Sequence, residues 1–337
     1  MGMHSFSGRI RANKSFLYRF FGSTLCFLAV ACGGSSPTPT DSAPTPGATS
    51  TPEPAKQKVI GASLLTQTHV FYQDLIAAMK EEAGKQGFKL DIQYAEFDGA
   101  KQNEHMDAFI LQKVDAIIVA PKDSSAIAPA IAEARSKGIP VFTTDIAAHG
   151  ADVVSHIASD NVEGGRLIGE YLAKLLGGKG RIAIIDHPEA ASVQERTGGF
   201  VEVIAKYPEI QIVQRIPGFG QRDKALRATQ DLLQADANLN GIFGINDDSA
   251  LGALAAVEEA GLQDKIVIVG YDGTPEARDA ILAGKALKAD TVQYPKEIGK
   301  STIETIAAHF RGDNVPKVVA VKVGLIDAES LRAEKSQ

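Results

Sequence analysis

The sequence predicts an α/β protein of two lobes, each built on a doubly wound parallel sheet. From Lys58 onward, short runs rich in β-branched residues alternate with segments whose apolar side chains recur three and four positions apart. Most of the short runs are continuously apolar, which is typical of strands covered by helices on both faces. There are eleven such runs, which is many for one open sheet, so two sheets in two lobes are expected.

The strands and helices can be placed from these runs and from the glycines between them. Gly138 and Gly261 follow segments of helical period, as glycines that end helices do. The predicted helices include residues 71–86, 124–137, 161–176, 249–261 and 296–310. The predicted strands cover residues 59–64, 89–94, 116–119, 141–144, 153–157, 181–185, 210–215, 241–243, 266–271, 287–292 and 317–321. This repeated βα order is that of doubly wound folds.

The N-terminus has the features of an export signal. Residues 1–31 contain four basic and no acidic residues, and they end in an apolar run from Phe20 to Ala31. That run is too short to span a bilayer comfortably, and its last residues are small. Residues 1–31 are therefore predicted to be a signal peptide that is removed before Cys32.

Cys32 stands directly after the small residues Ala29, Val30 and Ala31. This arrangement resembles the lipobox of bacterial lipoproteins, in which the cysteine receives a diacylglycerol and becomes the new N-terminus. Ala29 departs from that motif, in which leucine is most common, and the alternative is an ordinary secreted protein with an unpaired cysteine. Residues 32–57 are rich in Ser, Thr, Pro and Gly, which predicts a disordered tether between the lipid anchor at Cys32 and the body.

The composition argues against several classes of protein. The chain has 35 Lys plus Arg and 41 Asp plus Glu, and without the four basic residues of the signal its charge is about −10. A chain this acidic is not expected to bind nucleic acid. Both cysteines, Cys26 and Cys32, precede the body, so no disulfide is expected within it.

The motifs of common enzymes and cofactor sites are not found. The seven histidines have no metal-site spacing among themselves or with the cysteines. There is no Walker sequence, no glycine-rich dinucleotide fingerprint after the first strand and no Gly-x-Ser-x-Gly elbow. The sequence therefore predicts no metal, no cofactor and no enzymatic activity.

Polar and aromatic side chains follow several predicted strands, at the points where ligands bind in doubly wound sheets. Carboxylates and amides pair well with hydroxyl groups, and aromatic faces pack against the C–H faces of a sugar ring. These group types predict a site for a polyhydroxylated ligand. The residues are His69, Phe71, Tyr72, Asp145, Phe219, Asn246, Asp272 and Gln293.

Several of these positions also have a simpler interpretation. Residues 247–249 lie at the start of a predicted helix, and for these three the role of N-cap is favoured over ligand contact. Asp272 precedes Gly-Thr-Pro and is equally compatible with a turn that begins the next helix. Phe71 and Tyr72 are equally compatible with core positions of the first helix.

Three stretches identify a family resemblance. They are VVSHIASDN at residues 153–161, NDDSALGA at 246–253 and VGYDGTP at 269–275. With them, residues 58–330 resemble the ribose-binding-protein group of periplasmic sugar-binding proteins. The resemblance implies the type I periplasmic binding protein fold, in which two lobes are joined by a three-segment hinge. It places residues 58–159 plus 294–322 in an N-terminal lobe and residues 160–293 plus 323–333 in a C-terminal lobe.

The resemblance also implies which residues contact the ligand. Arg196, within QERTGGF, matches the arginine that the family carries in its C-terminal lobe, and an arginine offers a rigid fork of donors to sugar oxygens. The other contacts carried over are Phe71, Tyr72, Asp145, Phe219, Asn246, Tyr271, Asp272 and Gln293.

Two departures from the ribose binders bear on the ligand. Ile146 follows Asp145 where those proteins have arginine, and His69 stands where they have asparagine. An apolar side chain in place of a guanidinium removes several donors, and a site built to pair hydroxyls discriminates sharply when a partner is missing. A deoxy sugar, another pentose or hexose, a cyclitol or a small furanosyl signal molecule is therefore expected in place of ribose.

The function expected from these features is that of a monomeric, lipid-anchored extracytoplasmic receptor for a monosaccharide or related polyol. Its partners would be the permease and ATPase of an ABC importer, which recognise the closed form. An alternative is a sensory receptor whose closed form is read by a chemoreceptor or sensor kinase. An enzyme is disfavoured because no nucleophile or metal motif accompanies the carboxylates. A repressor of the same fold is disfavoured because residues 1–57 do not predict a helix-turn-helix.

Overall fold

The computed structural model describes residues 57–236 and 238–336. The predicted signal peptide, Cys32 and the tether up to residue 56 lie outside the described residues. None of the helices among the described residues is both long enough and apolar enough to cross a membrane.

Within the described part of the chain, twelve strands and ten helices follow one another in βα order. The strands are β1 (Val59–Leu64), β2 (Lys89–Tyr94), β3 (Ala116–Val119), β4 (Val141–Thr144), β5 (His156–Ser159), β6 (Lys179–Asp186), β7 (Glu209–Pro217), β8 (Gly241–Gly244), β9 (Val267–Asp272), β10 (Leu287–Val292), β11 (Val318–Val321) and β12 (Gly324–Asp327). The helices are α1 (Val70–Lys85), α2 (Gly99–Gln112), α3 (Ala128–Ser136), α4 (Asn161–Leu175), α5 (Ala191–Ile204), α6 (Arg222–Ala235), α7 (Asp247–Glu259), α8 (Pro275–Leu282), α9 (Pro295–Phe310) and α10 (Ala328–Lys335).

The strands form two six-stranded sheets, one in each lobe. The order is β11-β5-β4-β3-β1-β2 in the first lobe and β12-β10-β9-β8-β6-β7 in the second. All strand pairs of the first sheet are parallel. In the second sheet, only the edge strand β12 runs antiparallel, against β10. The predicted class of two doubly wound α/β lobes is confirmed, with one antiparallel edge strand added.

The chain crosses between the lobes three times. The crossings run from β5 into α4, from β10 into α9, and from β11 into β12. The first and third crossings lie side by side, because the N–H of Asp160 donates to the carbonyl of Val321 at 2.8 Å. These three short segments form the hinge of the molecule.

Several elements differ from the sequence-based prediction, and three of the differences have a local cause. Strand β12 was not predicted, because only two of its residues, Leu325 and Ile326, are apolar and it follows β11 after a gap of two residues. Strand β5 begins at His156, where its pairing with β11 starts, and not at residue 153. Helix α3 begins at Ala128 instead of residue 124, because Oδ1 of Asp123 accepts the N–H groups of Ser125 and Ala126 in a preceding turn.

In the second lobe, helix α4 packs closely against helix α5, next to the surface that faces the first lobe. A Cβ atom at Gly165 would overlap the carbonyl group of Arg196, and one at Gly199 would overlap the carbonyl of Val162. Glycine is therefore required at these two positions for the two helix backbones to approach as they do. The approach matters to the site because Arg196 lies on α5.

Candidate ligand-binding site

A cavity lies between the two lobes, beyond the C-terminal ends of their strands. It encloses about 60 Å³. The first lobe lines it with Leu65, Thr66, His69, Phe71, Tyr72, Phe97, Asp145 and Ile146. The second lobe lines it with His187, Ala190, Ser192, Val193, Arg196, Gly220, Ile245, Asn246, Asp272 and Gln293.

Asp145 is the acidic group that the first lobe presents to the cavity. It follows β4 directly, and its backbone has φ of 63°, a left-handed conformation that is uncommon outside glycine. The hydroxyl of Tyr72 donates to its Oδ2 at 2.6 Å. Burial raises the pKa of Asp145 to about 6, against the opposing effects of the Tyr72 hydroxyl and the Arg196 charge. Asp145 is thus a strained, desolvated carboxyl group held by a neighbouring phenol.

His69 begins helix α1 and faces the opposite lobe. Its Nδ1 accepts the N–H of Phe71 at 3.2 Å, which makes His69 the N-cap of the helix. Nε2 lies 3.5 Å from Oδ2 of Asp272 and 3.6 Å from Oδ2 of Asp248, both in the second lobe. His69 therefore combines an N-cap role with a contact across the cleft.

Arg196 is the basic group of the cavity. Its Nη1 donates to the carbonyl of Ile245 at 2.6 Å, and its Nη2 donates to Oδ1 of Asn161 at 2.8 Å. The guanidinium also stacks on the ring of Tyr271, with Cζ 3.8 Å from the ring centroid. Each terminal nitrogen keeps a second N–H, and Nε has no hydrogen-bond partner among the described residues. Arg196 is thus rigidly placed with donors still available.

Asp272 and Gln293 form a second polar group from neighbouring strands. Nε2 of Gln293 donates to Oδ1 of Asp272 at 2.6 Å, and its Oε1 is buried with no hydrogen-bond partner among the described residues. Burial raises the pKa of Asp272, although the nearby His69 and Arg196 act in the opposite direction. Asn246 stands beside them as the N-cap of α7, since its Oδ1 accepts the N–H of Ser249 at 2.9 Å.

The cap of α7 differs from the prediction. The sequence favoured residues 247–249 for this role, whereas the capping side chain is that of Asn246 and the helix begins at Asp247. Asp247 is instead buried behind the site, where its Oδ2 accepts the N–H of Thr274 at 2.7 Å. Its neighbour Asp290 is completely buried on β10. Burial raises the pKa of Asp247 to about 7 and that of Asp290 well above its usual value, and repulsion between buried carboxylates adds to both shifts.

Eight of the ten predicted contact residues line the cavity, and two do not. Tyr271 lies behind Arg196, beneath its guanidinium. Phe219 is half-buried and packs its ring against the ring of His187, with centroids 6.0 Å apart. These two aromatic rings therefore support cavity residues in this structure and do not face the cavity.

Several cavity residues were not predicted. The most notable is His187, whose ring is buried and whose pKa burial lowers to about 4, so the imidazole is neutral at pH 7. It comes directly after β6, and the rule that polar residues at strand ends reach the ligand could have found it. Thr66 and Phe97 follow β1 and β2 in the same way, whereas Ser192 lies on α5, where no strand end marks it. Among the described residues, no cluster of three or more His, Cys, Asp or Glu side chains could hold a metal ion.

Comparisons with known proteins identify relatives over most of the body. Residues 60–314 match the periplasmic binding protein domain family. The chain is 33% identical to the ribose import binding protein of Bacillus subtilis over 271 residues, which are 80% of this chain and 87% of that protein.

Solved structures resemble the whole two-lobed body. An ABC transporter periplasmic solute binding protein from Actinobacillus succinogenes with bound D-allose superposes with a TM-score of 0.75 and 31% identity, over 82% of this chain and 100% of that one. The Caulobacter myo-inositol binding protein bound to myo-inositol has a TM-score of 0.76 and 30% identity, over 82% of this chain and 95% of that one.

Proposed function

Because this chain belongs to the periplasmic binding protein domain family, we propose that it is the extracytoplasmic substrate-binding protein of an ABC importer for a monosaccharide or related polyol. The observation that carries the proposal is the cavity itself. It lies between the lobes at the ends of their strands, and both lobes supply charged or amide side chains to it. Side chains of this kind can each pair with a ligand hydroxyl as donor, acceptor or both.

The charges of the cavity favour a neutral ligand. Asp145 and Asp272 bring two carboxyl groups, and Arg196 brings one guanidinium that already donates to the protein. An anionic ligand such as a sugar acid or sugar phosphate would face two carboxyl groups with a single cation to offset them. A polyol avoids that repulsion and uses the carboxylates as hydrogen-bond acceptors.

The apolar side of the cavity bears on which polyol is bound. Ile146 is buried beside Asp145, and Leu65, Val193 and Ile245 also line the cavity. These side chains offer no hydrogen bond, so a hydroxyl directed at them would lose its water without a replacement. We expect a ligand with one C–H-rich or deoxygenated face, which fits a deoxy sugar better than ribose.

Closure of the lobes would bury the ligand and create the form that a permease recognises. In the proposed closed complex, Asp145 contacts the ligand from the first lobe, and Arg196, Asn246 and Asp272 contact it from the second. Because only the closed form makes both sets of contacts, ligand binding shifts the population toward closure.

The decisive experiment is a thermal-shift screen on the full chain carrying Cys32→Ser, against pentoses, hexoses, deoxy sugars, cyclitols and furanoses. A ligand that binds only the folded state adds about 2.7 kcal/mol at a hundredfold excess over its Kd, which gives a measurable rise in Tm. Asp272→Ala is the matched variant, and it should abolish the rise. If no polyol raised the Tm of the chain without the Asp272→Ala change, the proposal would be wrong.

We further propose that Cys32 anchors the protein to a membrane through a diacylglycerol. The support comes from the basic segment, the short apolar run and the small residues before Cys32. In cells that export lipoproteins, the chain should partition with membranes and incorporate labelled fatty acid, whereas Cys32→Ser should be recovered in the soluble fraction. A chain that is exported but unlabelled would overturn the anchor and leave the binding function intact.

A further inference from the structure

The two lobes touch at the rim of the cavity through a hydrogen-bonded contact centred on Ser124. Ser124 lies in the loop after β3 in the first lobe and is completely buried. Its N–H donates to the carbonyl of Glu189 at 3.0 Å, and its Oγ accepts the N–H of Ala191 at 2.8 Å. Both partners belong to the second lobe, in the segment that enters helix α5.

This contact supplies the N-terminal cap that helix α5 lacks. The N-cap residue of α5 is Ala190, whose side chain has no group that can accept a hydrogen bond from the first turn. The first N–H groups of a helix have no partner within the helix and need an acceptor from elsewhere. The hydroxyl of Ser124 provides that acceptor from the opposite lobe.

Helix α5 is also the helix that carries much of the ligand cavity. Ser192 and Val193, in its first turn, and Arg196, one turn later, line the cavity. A cap on the first turn therefore fixes the backbone from which these side chains project. Neighbouring contacts reinforce the same rim, since Nε2 of His149 lies 3.1 Å from Oε1 of Gln194.

We propose that Ser124 is an interlobe cap for helix α5, a positioning residue that is engaged only when the lobes are closed and that sets ligand affinity without touching the ligand. The inference rests on the proposed closure around a polyol. When the lobes separate, Ser124 and the N–H of Ala191 move apart, and water replaces each as the partner of the other. The contact therefore stabilises only the closed form. Ligand affinity rises with it, because the ligand binds the form in which this contact is made.

The test measures the affinity for D-ribose, D-allose and myo-inositol in the full chain carrying Cys32→Ser. Loss of a helix cap corresponds to about a tenfold weakening, so Ser124→Ala should raise Kd about tenfold for every polyol that binds, without changing their rank order. Ser125→Ala is the matched control, because Ser125 is the neighbouring serine and is exposed. It should bind as the unsubstituted chain does.

A second variant removes the donor of this hydrogen bond, the N–H of Ala191, and keeps the acceptor, the hydroxyl of Ser124. Ala191→Pro deletes the N–H at the first helical position, where proline is well tolerated, and Ala190 already has the extended backbone that a following proline requires. It should weaken binding as Ser124→Ala does. The double variant should bind about as weakly as either single one, because both changes remove the same hydrogen bond.

The outcomes separate this inference from the proposed function. If Ser124→Ala binds within twofold of Ser125→Ala, or lowers the Tm of the ligand-free chain as much as that of the complex, the interlobe cap is wrong. If the unsubstituted chain binds none of the three polyols, the proposed function is decided by the wider thermal-shift screen. The cap is then tested with spin labels on two introduced cysteines, one in each lobe. In this measurement, Ser124→Ala must lower the fraction of ligand-free molecules that are closed.

Discussion

The hydroxyl of Tyr72 lies 2.6 Å from Oδ2 of Asp145, and it joins helix α1 to the end of strand β4 inside the first lobe. Both side chains are buried at the cavity. The phenol donates and the carboxylate accepts, so the bond favours the ionised form of Asp145 and works against the effect of burial on its pKa. The strength of Asp145 as a hydrogen-bond acceptor for the ligand therefore depends on the hydroxyl of Tyr72.

Removal of this donor should weaken ligand binding in a pH-dependent way. In the unsubstituted protein, Asp145 becomes protonated as pH falls through about 6, and affinity for a polyol should decline there because the anionic acceptor is lost. In Tyr72→Phe the pKa of Asp145 rises further, so the decline should begin at higher pH, with affinity about tenfold lower at pH 7. Titration calorimetry from pH 5 to 8 measures both effects.

The matched control for this prediction is Tyr94→Phe. Tyr94 lies on β2, away from the cavity lining, and it should give the unsubstituted pH profile. A Tyr72→Phe profile with the same midpoint as the control would mean that the phenol does not hold Asp145 ionised.

Neutralising Asp145 should stabilise the ligand-free protein while abolishing binding. Its folded pKa of about 6 exceeds the unfolded value of 3.8, so its contribution to stability is fully present below pH 3.8 and is lost as pH rises through 6. At pH 7 the ionised group costs about 2–3 kcal/mol, which Asp145→Asn should recover. Urea unfolding at pH 7 should show the gain, and the gain should disappear near pH 4. Equal stability of the two proteins at pH 7 would contradict the prediction.

Asp290 should make the protein sensitive to alkali. It is fully buried next to Asp247, and its pKa is raised well above the usual value by burial first and by the charge of Asp247 second. Its stabilising protonated form is lost as pH rises through that raised pKa. Asp290→Asn resembles the protonated group, so it should match the unsubstituted protein near pH 4, below which Asp290 is protonated in both states, and should exceed its stability increasingly as pH rises from 4 to 8.

The control for Asp290 is Asp264→Asn, at an exposed aspartate of the same lobe. The informative quantity is the difference in unfolding free energy between the variant and the unsubstituted protein, followed from pH 4 to pH 8. If this difference ran parallel for Asp290→Asn and Asp264→Asn, the pKa of Asp290 could not be raised in the folded protein.

The sequence predicted the part of the site that depends on strand ends. Asp145, Asp272 and Gln293 each come directly after or at the end of a parallel strand, and the C-terminal ends of such strands meet at one edge of the sheet. Tyr271 fell outside the cavity for a related reason. It precedes Asp272 on β9, and consecutive residues of a strand point to opposite faces of the sheet, so the two side chains cannot share one position.

The rest of the site depends on how the lobes meet, which no local pattern encodes. Ser124 and Ala191 are 67 residues apart and belong to different lobes, so their hydrogen bond follows from the placement of one lobe on the other. His187 could have been found from its position after β6. The edge strand β12 was missed because only two of its four residues are apolar, too few to show a pattern.

The glycines between α4 and α5 give a sharp test of how the fold positions Arg196. A Cβ atom at Gly165 would overlap the carbonyl of Arg196, and backbone atoms cannot move aside as a side chain can. Gly165→Ala should therefore separate the two helices, lower the unfolding free energy by about 3 kcal/mol and weaken polyol binding through displacement of Arg196.

Gly198→Ala is the matched control on the same helix pair. Nothing lies within 4 Å of a Cβ atom at Gly198, which occupies the interior of α5. Alanine there should stabilise the protein by about 0.5–1 kcal/mol, because it restricts the unfolded chain and favours the helix, and it should leave Kd unchanged. Urea unfolding and titration calorimetry on both variants separate the two positions. If Gly165→Ala were as stable and bound as tightly as Gly198→Ala, the contact between α4 and α5 could not be what holds Arg196 in place.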